Sequence, residues 1–121
     1  ENSKNMYACS SYNANIKSQA NEKFKADFSR KFNGKPPQLS VLGEDSYCGV
    51  KFIQALVKKA GSTQANKLLA ASEGLTYETP GGSCTMYGRH AEKNMYLTVC
   101  KGVEFEVLQK FEKVRSETVC K

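Results

Sequence analysis

The chain has 121 residues, enough for one domain with a modest core and too few for two. Hydrophobic residues make up 40% and charged residues 25%, ordinary for a globular chain, and no apolar run approaches the 18 or so residues of a membrane span. Lys and Arg number 18 against 12 acids, a net charge of +6; the lysines are scattered and arginine occurs only at 30, 89 and 115, so the excess reads as a solvated basic surface, not a nucleic-acid face.

Five cysteines, at 9, 48, 84, 100 and 120, point to an oxidising compartment, periplasmic or secreted and extracellular. The competing reading is a set of buried thiols. No C-x-x-C pair occurs, and the odd count leaves at least one cysteine without an intramolecular partner. The chain opens on Glu1 with no methionine or signal segment, as expected of a processed or trimmed product.

Taken in order, residues 6–12 (MYACSSY) read as a short strand. Asn21 to Phe32 is the clearest helix, with Phe24, Phe28 and Phe32 four apart on one face as a core stripe. Asn33-Gly34 ends it and Pro36-Pro37 forbids its continuation. Residues 38–46 link to a second helix. In it Tyr47, Val50, Ile53, Val57 and Ala60 recur at spacings of three and four and predict the buried stripe, with Glu44 or Asp45 favourable near its N-terminus. Gly61 occupies the position of a left-handed cap, and Ser62 or Thr63 is placed to cap a third, shorter helix over 65–72 that stops at Gly74.

At Pro80-Gly81-Gly82 the pattern changes to period two. Residues 83–87 and 94–100 alternate, Lys101-Gly102 turns the chain, and Val103, Phe105 and Val107 alternate with Glu104 and Glu106. The fold class predicted is α+β: helices near 20–33, 44–60 and 63–73, then a three-stranded antiparallel region over about 75–110, all in a single domain spanning 1–121. No internal repeat appears.

Catalysis is not indicated. His90 is the only histidine, and nothing marks an orienting group or oxyanion hole for a Cys84–His90 pair. A metal site from Cys84, His90 and Cys100 lacks the tight ligand pairs of structural zinc. No phosphate-binding glycine loop or paired-carboxylate signature occurs, and no cofactor is expected.

Several pieces resemble one family at family spacing: Tyr47-x-Gly49-Val50, Ala55-Leu56-Val57-x-Lys59-Ala60-Gly61-Ser62, Leu69-x-Ala71-x-x-Gly74-Leu75-Thr76-Tyr77-x-Thr79-Pro80-x-Gly82, Thr85-Met86 and His90-x-x-Lys93. Asn21-x-x-Phe24-x-x-x-Phe28 fits as well. The series resembles the C-terminal region of type I periplasmic solute-binding proteins, especially the branch binding amides, urea and branched-chain amino acids. Family members are much longer and two-lobed.

The resemblance implies non-catalytic recognition of a small amide, urea or amino-acid-like solute. It implies that residues 6–12 cross between lobes, with Ser10, Ser11 and Tyr12 facing a cleft, and that Tyr12, Glu44 and Tyr47 are the ligand-contacting residues. An acid serving only the helix dipole remains the alternative for Glu44. Partners implied are a small solute and either an N-terminal lobe or a second copy; neither nucleic acid nor a membrane span is expected. With family strand pairing, Cys84 and Cys100 are candidates for one disulfide; Cys9 and Cys120, near the two ends, are candidates for another if the termini meet, leaving Cys48 as the thiol. The other functional reading is a small secreted, disulfide-stabilised module that binds another protein or itself.

Overall fold

A computed structural model describes residues 4–116. The elements run β1 (Tyr7–Ser10), α1 (Gln19–Lys31), α2 (Val41–Ala60), α3 (Ala65–Ser72), β2 (Thr76–Thr79), β3 (Gly82–Tyr87), β4 (His90–Cys100) and β5 (Phe105–Val114). The α+β class, the three helices and the antiparallel sheet agree with the sequence reading. The sheet is larger than the three strands expected: five strands, all paired antiparallel.

β4 organises the sheet. One end pairs with β3, whose other edge carries β2, and the remainder is flanked by β1 and β5. The β1 pairing joins Tyr7 to Val99 and Ser10 to Tyr96, contacts that no local pattern announces. The ladder between β4 and β5 shifts register twice, between Lys93 and Met95 and between Leu97 and Thr98.

The helix ends follow from capping chemistry. The Ser18 hydroxyl accepts the Asn21 N–H at the start of α1, and Ser40 accepts the Gly43 N–H at the start of α2. Gly61 adopts φ 59° and its N–H reaches the Val57 carbonyl, the left-handed stop expected from sequence. The third helix departs from expectation. Its cap position is Gln64, which makes no side-chain capping bond, and Ser62, two residues before it, instead accepts the Gln64 N–H.

The buried stripe of α2 is a second correction. Val50 is 69% and Ile53 57% exposed, so the middle of the predicted row faces outward, while Val57 and Ala60 at its end are half-buried. The inward row is Glu44, Cys48, Phe52 and Leu56, one residue per turn, with Phe52 packed on Tyr77 of β2 at 5.6 Å. One of these four, Glu44, is charged, and a hydrophobicity count passes over it.

The phenylalanine stripe of α1 is buried only at its first member. Phe24 joins Tyr12, Ile16 and Tyr96 in the main core, with Leu39 and Val107 against it, while Phe28 is half-buried and Phe32 is exposed. No described helix is long and apolar enough to cross a membrane.

Candidate functional site

Two neighbouring regions hold the polar side chains of the inner surface: a sealed junction and an open cleft. The junction lies where the first turn of α2 meets the β2–β3 turn. Glu44 is fully buried; its Oε1 accepts from the Cys48 thiol at 2.9 Å, and its Oε2 has no hydrogen-bond partner. Lys93 of β4 stands 3.7 Å from that oxygen and 3.0 Å from Asp45, and donates to the Ser11 hydroxyl at 3.5 Å. Burial lifts the Glu44 carboxyl above its ordinary range, more strongly than the Cys48 bond and the Lys93 charge pull it down. Burial and the Glu44 acceptor likewise raise the Cys48 thiol. Lys93 is held charged because its bond to Asp45 and the Glu44 charge outweigh its own burial.

Gly81 is the pin of this junction. Its carbonyl accepts from the Tyr96 hydroxyl at 2.9 Å and the Asn94 amide at 3.2 Å. A Cβ there would lie 2.6 Å from the Ser11 carbonyl oxygen, so only glycine lets the turn press against the end of β1.

The cleft opens on the other side of Ser11, with a volume of about 550 Å³, between the end of β1, the start of α2 and the β4–β5 loop. Ser10, Tyr12, Asn13, Asn15, Gln38 and Ser40 line it, with Glu104 at the loop and no lysine or arginine. Tyr12 forms its floor and is only 1% exposed; its hydroxyl donates to Asn21 Oδ1 at 2.8 Å. The Asn21 amide in turn donates to the carbonyls of Ala14 and Ile16, fixing the loop that carries Asn13 and Asn15. Burial, reinforced by the Glu44 charge, pushes the Tyr12 phenol up to about 12. Asn15 closes one wall by donating to the Phe105 carbonyl at 2.6 Å.

The three residues expected to contact ligand therefore sit in three settings. Tyr12 floors the cleft, Glu44 is sealed in the junction, and Tyr47 lies on the opposite side of Phe24, stacked on it at 4.7 Å and 40% exposed. Asn13, Asn15, Gln38 and Ser40 were not singled out from the sequence. The available signal was a pair of carboxamides in the loop after Tyr12 and a hydroxyl at the cap before α2.

The candidate Cys84–Cys100 disulfide is not formed. Cys84 is a buried free thiol opposite Tyr77, one place along β3 from the Thr85–Glu92 pair, whereas Cys100 ends β4 opposite Phe105. That is about seven residues along β4, roughly 23 Å, against an upper limit of about 7 Å between bridged Cα atoms. Cys48 is also a buried thiol. Cys9 is exposed on β1, and its candidate partner Cys120 lies outside the described residues. No described group of His, Cys, Asp and Glu is placed to hold a metal ion.

Comparison with known proteins places this arrangement. A family model described as periplasmic binding protein matches residues 1–104. A solute-binding protein of an ABC transporter from Rhodopseudomonas palustris BisB5, solved with 3,4-dihydroxybenzoic acid, superposes with a TM-score of 0.79 at 23% identity, over 93% of this chain and 32% of that one. A benzoate complex from R. palustris gives 0.79 at 19% identity, covering 96% and 32%. The leucine-, isoleucine-, valine-, threonine- and alanine-binding protein from Brucella ovis, in closed conformation, gives 0.75 at 14%, covering 94% and 33%. A search of curated protein sequences finds no match. The chain spans about a third of the length of these solved relatives, and its three helices and antiparallel sheet correspond to part of their fold. On the family match, the chain belongs to the periplasmic binding proteins.

Proposed function

We propose that this chain supplies one wall of a solute-binding cleft and recognises a small amide or amino-acid-like solute without chemical turnover, in the periplasm. The observation that carries this reading is the polar part of the cleft lining, carboxamides from Asn13, Asn15 and Gln38 and hydroxyls from Ser10 and Ser40, over an aromatic floor at Tyr12 and among apolar walls that include Leu39, Val41, Val103 and Phe105. A carboxamide offers a donor and an acceptor together, matching the donor–acceptor pair of an amide or urea. The N-terminus of the 20-residue α2 favours a carbonyl or carboxylate oxygen at Ser40, and Glu104 favours an ammonium or N–H at the opposite rim. A benzoate-like anion has no cationic side chain to meet among the lining residues. Glu44 acts behind this wall, holding α2 against the β2–β3 turn.

A second lobe or a second copy completes the cleft. The outward row of α2 (Leu42, Val50, Ile53) and Leu69 of α3 leave apolar surface uncovered, and the relatives carry two further thirds of chain that this one does not span. The alternative of a disulfide-stabilised module draws no support from Cys48 and Cys84, both buried thiols.

Titration calorimetry with urea, acetamide, leucine and benzoate tests the reading. With only one wall present, urea, acetamide or leucine binds weakly, in the millimolar range, and benzoate does not. Preference for benzoate, or sub-micromolar affinity for any of them, contradicts it. Light scattering separates a lobe-dependent monomer from a dimer that builds its own cleft.

A further inference from the structure

Beyond the solute cleft, a second concave surface lies between α1 and α2, and it has a different chemistry. Its floor is a continuous series of rings. Tilted ring pairs join Phe24 to Tyr47 at 4.7 Å and Phe24 to Phe28 at 6.2 Å, and Phe28 meets Phe32 at 4.8 Å beyond the end of the groove. The groove has a volume of about 800 Å³ and is lined by Phe24, Phe28 and Tyr47 together with Lys23, Arg30 and Lys31. It continues past Tyr47 toward Lys51, whose ammonium lies 5.8 Å over the Tyr47 ring, and ends at Glu78. Asp27 is the acid within the rim, and it is engaged by both Lys23 at 3.0 Å and Arg30 at 2.9 Å. No ion pair with a described acid engages Lys31 or Lys51.

We infer that this groove docks an acidic amphipathic helix of a partner protein. Phe24, Phe28 and Phe32 repeat every four residues, so their rings rise at roughly 6 Å intervals along α1, the same interval that separates i and i+4 side chains on an approaching helix. Lys31 on α1 and Lys51 on α2 are the exposed cations of the lining available to the flanking acids of such a helix. A second copy of this chain is disfavoured, because a two-fold contact sets each cationic rim against itself. A membrane surface is disfavoured because Phe24 is buried and Phe28 half-buried, so neither ring projects to enter a bilayer. A small solute would leave most of its surface in water in so open a groove.

The test is fluorescence anisotropy of the protein with a labelled synthetic peptide carrying leucines at i, i+3, i+4 and i+7 and glutamates between them. A scrambled peptide of the same composition and phosphatidylglycerol vesicles are run alongside. Saturable binding of the patterned peptide alone is expected, weakened about tenfold by Lys31→Glu combined with Lys51→Glu, as for loss of two rim charge pairs. It is expected to be lost in Phe28→Ala. Both lysines are exposed, so that variant remains informative even where Phe28→Ala impairs folding, which circular dichroism reports. Absence of saturable binding, equal binding of the scrambled peptide, retention of only the vesicles, or wild-type affinity in the lysine variant overturns the proposal.

Discussion

The two sides of α2 are built on opposite terms. On the inner side Glu44, Cys48, Phe52 and Leu56 press on the β2–β3 turn, and a buried carboxylate is tolerated because Gly81, Cys48 and Lys93 surround it. On the outer side Val50 and Ile53 meet water although their residue types belong in a core. Burial in this helix follows what the chain brings to the contact, and apolar type alone does not decide it. The inner side is packed by the chain's own residues; the outer side is exposed.

The contrast breaks most sharply at Gly81. Gly81→Ala sets a methyl against the Ser11 carbonyl and should cost about 3 kcal/mol or more in urea unfolding; a cost within 0.5 kcal/mol, the ordinary scatter of surface changes, would show that the turn does not pin the junction. Leu56→Ala on the inner row should cost about 2–4 kcal/mol, as for a buried leucine. Val50→Ser and Ile53→Ser on the outer row should stay within about 0.5 kcal/mol in the isolated chain. Equal costs on the two rows would erase the distinction.

Glu44 sharpens the comparison through pH. Its carboxyl is raised above the ordinary 4.5, so its contribution to stability is full below that value and declines as pH rises through the folded-state pKa. Glu44→Gln removes the ionisation, so the stability difference should move in favour of the variant as pH is taken from 4 to 8. A difference that moves toward the wild type over that range would mean that the pair with Lys93 outweighs burial. A modest effect is expected at the cleft wall, where Asn15→Ala removes the bond to the Phe105 carbonyl and should cost about 0.5–1 kcal/mol, above the outer row and below Leu56.

What was legible in the sequence was local. Gly61, the glycine-rich turn at 80–82 and the change from helical to alternating period are encoded within a few residues and stand where expected; α2 begins at Val41, three residues ahead of the expected 44, on a Ser40 cap that the sequence reading passed over, as it did the Ser18 cap of α1. The illegible features depend on distant pairing. Tyr7 meets Val99 through a register fixed by the tertiary fold, and the same β4 register separates Cys84 from Cys100. The inner row of α2 was missed because Glu44 and Cys48 are buried by partners on β4 and the β2–β3 turn, which a helical wheel does not contain. The residue types of the cleft were visible, but their convergence required Asn21 to fold the 13–17 loop back onto α1.

The central claim is that the solute is met between the end of β1 and the start of α2, and not in the aromatic groove on the far side of Phe24. The direct measurement is a ¹H–¹⁵N NMR titration with acetamide and leucine at millimolar concentrations. The predicted result is progressive shifts at Ser10, Asn13, Asn15 and Ser40, with Phe28, Tyr47 and Ile53 unmoved. Shifts confined to Phe28 and Tyr47, or none at the four cleft residues, would contradict it.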